Sequence, residues 1–149
     1  MKLSIDKIFL FIALTWGLVT IFLVPPFEVM DEQRHYVRAG AIAEGVWNCT
    51  NGKLQISEKK IDLINYSEVG RIAFKPREKF DLTTITNYKE PTGSGVVSVN
   101  SGLCSTPPLG HAIAAVGLKL GDLAGNQLIG FYLGRMANLL VSVYLVYLA

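Results

Sequence analysis

Asp31, Glu32, Arg34, His35 and Arg38 crowd into one short stretch directly after Pro25-Pro26-Phe27-Glu28-Val29-Met30. Two carboxylates, an imidazole and two guanidinium groups in that spacing can take a proton from a hydroxyl or neutralise an anion. Asp31 is placed to cap a helix running to Glu44 and stopped by Gly45, because a short acceptor at the start and a glycine past the end are paired helix signals. On such a helix Asp31, His35, Arg38 and Ile42 share one stripe, and Glu32, Tyr36, Ala39 and Ala43 lie about a quarter-turn away. The catalytic reading makes Asp31 a general base or acceptor anchor, with Glu32 supporting it and His35 or Arg38 meeting an anionic group. Asp31 and His35, at i and i+4, could also reach one divalent metal ion, although two ligands do not complete a site. The plainer alternative is a capped, solvated juxtamembrane helix. A helix N-terminus and neighbouring arginines favour the ionised carboxylate, so Asp31 is a strong base only if substrate or lipid desolvates it.

The elements that must position these groups are dominated by apolar runs. Ile8 to Phe27 carries no charge and is bounded by Lys7 and Glu28; roughly 20 residues suffice for the ~30 Å hydrocarbon core. Half of the 149 residues are hydrophobic, 17% are charged, and the mean hydropathy is +0.36, which places the chain at a membrane. A net charge of +2 without a basic, aromatic-interleaved stripe excludes a nucleic-acid partner. A cleaved secretory signal is the alternative for the first run, but Val24-Pro25-Pro26-Phe27 is no small-residue cleavage site. As an uncleaved anchor flanked by Lys2 and Lys7, it puts residues 1–7 in the cytoplasm and the acidic pair outside. A second span is expected over residues 127–149, with Arg135 as its one charge, either snorkelling outward or facing a lipid phosphate. That run reaches Ala149 without a basic flank, so the chain is expected to be the N-terminal piece, or a truncated copy, of a larger polytopic protein.

Residues 28–106 read as an extracytoplasmic loop domain, with about ten charges of each sign between residues 25 and 104. Lys53 to Ile56, Phe80 to Thr86 and Val96 to Val99 lean toward strand, punctuated by Asn51-Gly52, Pro76, Pro91 and Gly93-Ser94-Gly95. Cys49 and Cys104 fall near the two ends of this loop, and an oxidising compartment would favour a disulfide between them over two buried thiols. Residues 107–125 open with Pro107-Pro108, and Leu109 to Ala124 reads as a helix too short to span. Its wheel puts His111, Ala115, Lys119 and Asp122 on one side and Ile113, Val116, Leu120, Leu123 and Ala124 on the other, the pattern of an interfacial amphipathic helix; Leu118, on the polar side, fits least well. The expected fold is thus an α-helical membrane protein in which two transmembrane helices flank an α+β loop domain with juxtamembrane amphipathic helices.

The order of these features carries a resemblance. The Pro25-Pro26 pair, Asp31-Glu32, His35, Arg38-Ala39, Pro107-Pro108-Leu109 and Leu133-Gly134-Arg135-Met136-Ala137-Asn138 resemble the start of the glycosyltransferase C superfamily. More narrowly, they resemble a bacterial family of multi-span membrane proteins known as a domain of unknown function. The resemblance implies a bacterial inner-membrane protein that draws on a polyprenyl-phosphate-linked sugar at the outer face, in cell-envelope polysaccharide or glycolipid assembly. It implies catalytic Asp31 with Glu32 as its partner, a cation or divalent metal for the departing phosphate, and completion by further spans of the same protein; the residues themselves offer His35, Arg38 and Arg135 as substrate contacts. The alternative from another class is a non-catalytic two-span protein whose outside domain binds or scaffolds an envelope partner.

Overall fold

The computed structural model describes residues 4–67, 83, 85, 87–93 and 95–149. Lys2, Pro76, Ser94 and the rest of the Phe80–Thr86 piece lie outside the described residues; Thr83 and Ile85, its two described residues, are helical rather than extended. Helix α1 spans Ile5–Leu23, α2 Glu32–Ala43, strand β1 Lys53–Ser57, α3 Glu58–Tyr66, β2 Val96–Asn100, α4 Leu109–Ala124 and α5 Gln127–Leu148. By length and composition, α1 and α5 are apolar enough to cross a membrane. At about 1.5 Å per residue they measure roughly 28 and 33 Å. A small α+β region lies between them in sequence.

The first apolar helix begins and ends earlier than the expected 8–27. Pro25 disfavours helical geometry at the residue before it, and Val24 is extended at φ −86°, ψ 114°. Residues 25–31 then form a tight turn in which Phe27 and Asp31 both have left-handed backbones, at φ 66° and 62°. Helix α2 closes near the expected position, with Gly45 at φ 87°. Asp31 precedes it, but its carboxylate makes no capping hydrogen bond.

Asn51 and Gly52, both at positive φ, turn the chain into β1, which pairs antiparallel with β2 from Lys53↔Asn100 to Ser57↔Val96. Helix α3, not expected from the sequence, follows β1 without a loop. Cys49 and Cys104 are joined in a disulfide that ties the entry to β1 to the segment after β2.

Helices α4 and α5 form a hairpin held by small residues. A Cβ on Gly117 would strike the backbone of Leu133 and Gly134, and one on Gly121 would strike Gly130. Glycines four apart on both helices thus let the two backbones touch. This reverses the expected wheel of α4. Ala115 and Leu118, from the side judged polar, are buried, whereas Leu109, Val116, Leu120 and Leu123 are exposed. Glycine counts as featureless in a hydropathy wheel, yet Gly117 and Gly121 decide which face packs, and that explains the poor fit of Leu118.

The core gathers where the apolar helices end. Phe27, Tyr36 and Phe131 pack ring against ring at centroid distances of 4.8 to 5.8 Å, surrounded by Ala39, Ile42, Leu63, Ala115 and Leu118. In contrast, α1 is exposed along most of its length, with Gly17 seated against Leu139 of α5 and Phe22 stacked on Tyr132. Gly121→Ala is expected to lower the unfolding free energy by about 2 kcal/mol through overpacking. Gly110→Ala, whose new Cβ meets open space, should leave stability unchanged or slightly raised. Thermal unfolding of the two variants in detergent compares them directly.

Candidate functional site

The most heavily bonded side chain near the core is Arg135. Its Nε donates to Glu32 Oε1 at 2.8 Å and its Nη2 to Glu32 Oε2 at 2.7 Å. The remaining N–H groups donate to the carbonyls of Ile21, Val24 and Pro25 at 2.9, 2.6 and 3.1 Å. The local sequence explains this. The Ile21 carbonyl would ordinarily accept from the N–H of residue 25, which is a proline and has none, so α1 ends with orphan acceptors. Arg135, entering from α5, supplies the missing donors with all five of its N–H groups. Phe131, one turn earlier on α5, lies under the guanidinium at 4.5 Å. Glu32 Oε2 also accepts from the Phe27 N–H at 2.9 Å, fixing the turn that precedes α2.

These contacts sort the expected site residues. Glu32, expected to support catalysis, is committed on both oxygens. Arg135, expected to meet a lipid phosphate, is 11% exposed at its side chain and has no N–H left to offer. Arg38, expected to bind substrate, is buried. Its Nη2 donates to the Trp47 carbonyl at 3.0 Å, its Nη1 lies 3.9 Å from Cys49 Sγ, and its Nε has no partner among the described residues. Asp31 stays exposed, its nearest charged partner being Arg34 at 3.3 Å.

Helices α2, α4 and α5 enclose a cavity of about 140 Å³ lined by Glu32, His35, Tyr36, His111, Phe131 and Arg135, among others. Asp31 and Arg38 lie outside this lining. At its edge the two histidines of the chain stack at a centroid distance of 5.2 Å, with His35 Nδ1 and His111 Nε2 3.0 Å apart. One of the two nitrogens must donate and the other accept, so at least one ring is neutral. Burial first, then the neighbouring His35 and Arg38, hold His111 below its ordinary pKa of 6.5, opposed by the Pro107 carbonyl. His35 turns to His111, and no group of three metal-ligating side chains forms among the described residues. The pairing of Asp31 with His35 on one ion therefore gains no third ligand here.

Sequence reasoning overlooked His111 as a site residue. The usable signal was that the chain has two histidines and each lies in the first turn of a predicted helix. A second cluster was missed entirely. Lys60 of α3 is fully buried, with Nζ donating to Glu44 at 2.8 Å and to Asp122 at 2.6 Å. Glu44 also accepts from the Ser57 N–H, and Asp122 from Gln127 Nε2. This network joins the ends of α2, α3, α4 and α5. Glu90 accepts from the Gln127 N–H at the start of α5.

The family of predicted membrane proteins of unknown function designated DUF2142 matches residues 14–149, which include every residue of this site. The chain belongs to that family. No curated protein and no solved structure matches it. For this DUF2142 protein, family membership and the two apolar helices together point to membrane association.

Two outcomes follow from the geometry. Arg135→Ala should reduce stability by about 3 kcal/mol, since it leaves the Ile21 and Val24 carbonyls without donors and Glu32 with the Phe27 N–H alone. Glu32→Gln, which keeps the shape and one of the two acceptor oxygens and leaves the carbonyls on Arg135, should cost clearly less; equal losses in thermal unfolding would argue against the carbonyl-capping role. His111 has a lowered folded pKa, so the folded chain binds fewer protons than the unfolded one as pH falls below about 6.5. Its contribution is complete above that value and is lost as pH falls through the folded pKa. His111→Gln should flatten the decline of stability as pH falls below about 6.5, and an unchanged slope would overturn the assignment.

Proposed function

We propose that this chain is the N-terminal portion of a membrane glycosyltransferase-like protein that uses a polyprenyl-phosphate-linked sugar in envelope polysaccharide or glycolipid assembly. In this reading the cavity end of the molecule faces the outside of the inner membrane. The observation that carries it is the divergent fate of the two adjacent acids. Glu32 is locked to Arg135, and the lock holds Asp31 at the head of α2 in a left-handed backbone, exposed and without a capping bond. A non-glycine residue in that conformation costs about 1 kcal/mol or more and persists where its surroundings impose it.

Asp31 is then the acceptor-binding carboxylate, and Glu32 positions it. As the acceptor oxygen bonds to the anomeric carbon, its proton passes to Asp31, and the bond from that carbon to the phosphate oxygen breaks with the electron pair leaving on phosphate. His35, one helical turn beyond Asp31, is the nearest candidate among the predicted site residues for a donor to that phosphate. A divalent cation fits the class of chemistry. The described residues do not assemble three ligands for one, so no step is assigned to it.

The test is sugar transfer from a polyprenyl-phosphate-linked donor by the full-length protein in native membranes. Asp31→Asn should lower the rate by about a hundredfold or more, the range for loss of a general base, with protein level unchanged. Full transfer by Asp31→Asn, or no transfer by the unaltered protein, would overturn the reading and favour a non-catalytic membrane protein that binds an envelope partner.

A further inference from the structure

About two turns along α2 and α4 from the histidine pair, the two helices leave an open groove of about 370 Å³. Ile42, Ala43, Trp47, Val116, Lys119 and Leu120 are among the residues that line it. Its walls are apolar apart from Lys119. Trp47 remains 48% exposed, and the groove runs into the uncovered stripe of Leu109, Val116, Leu120 and Leu123 on α4. Lys119 is exposed and has no carboxylate partner among the described residues.

An apolar channel, an amphipathic indole and one unpaired ammonium group at its rim are the parts that a lipid with a negatively charged headgroup requires. The acyl chain takes the groove, the indole lies at the boundary of tail and headgroup, and the ammonium meets the phosphate. We propose that this groove binds one anionic phospholipid, with its phosphate on Lys119 and an acyl chain against Ile42, Ala43, Val116 and Leu120. A second copy of the chain fits less well. Two-fold pairing across this face would bring Lys119 toward its own symmetry mate, and like charges without counter-ions repel. The inference rests on α2 and α4 alone and does not depend on the proposed transfer reaction.

The two tryptophans of the chain make the test direct. With Trp16→Phe, Trp47 becomes the single indole, and its fluorescence is read in phosphatidylcholine vesicles that contain a minor fraction of acyl-brominated lipid. Brominated phosphatidylglycerol should quench Trp47 with about fivefold higher apparent affinity than brominated phosphatidylcholine, the factor that one lysine near an anionic surface supplies. Lys119→Gln, a change at an exposed position, should equalise the two lipids without abolishing quenching. Equal quenching before that substitution, or a preference that survives it, would overturn the proposal. So would an absence of quenching by either lipid, which would mean that protein covers the groove.

Discussion

The guanidinium of Arg135 is the point on which the arrangement depends. A helix ending in two consecutive prolines cannot complete its own last turn, and in a low-dielectric setting its free carbonyls are costly. Drawing one arginine from α5 onto the end of α1 satisfies those carbonyls, joins the two apolar helices and neutralises a carboxylate at the head of α2 in a single contact set. The direction of α2, and with it the exposure of Asp31 and the position of His35, follows from that fixed corner. Each ion pays its desolvation through several directed hydrogen bonds, which is the condition under which a buried pair is tolerated.

Away from this corner the same logic is repeated with different chemistry. The α4–α5 hairpin is held by backbone contact at Gly117, Gly121, Gly130 and Gly134, a form of packing that works where apolar burial between helices gains little over lipid. Lys60 serves as a buried tie. Gly40 of α2 leaves room for its methylene stem, and its ammonium bridges Glu44 and Asp122. Hence α3, a short helix on its own, is anchored between α2 and the hairpin. The histidine pair lies where the first turns of α2 and α4 meet.

Several of these features were legible because they are local. The apolar runs, the Asn51-Gly52 turn, the Gly45 stop and the two strand segments depend on periodicity and turn chemistry within a few residues. The roles of the charged residues were not. Arg135 and Arg38 look alike in a linear reading, as cations available to an anion. One is consumed by Glu32 and three carbonyls and the other is buried at Trp47 and the disulfide. Helix α4 misled for a related reason, since hydropathy treats glycine as neutral and so misses the close approach that turned Leu118 inward.

By itself, the amino-acid sequence determined that two long apolar helices bracket a polar segment, that a helix starts after the paired prolines, and that acid, imidazole and guanidinium groups cluster there. Only the tertiary structure decided which of those groups are engaged. Hydrogen-bond satisfaction is a property of neighbours brought from more than a hundred residues away, as Arg135 is to Glu32. The identity of a residue sets what it can donate or accept, and the packing of helices sets whether anything remains unused; here Glu32 and Arg135 are spent on each other, and Asp31 is left exposed.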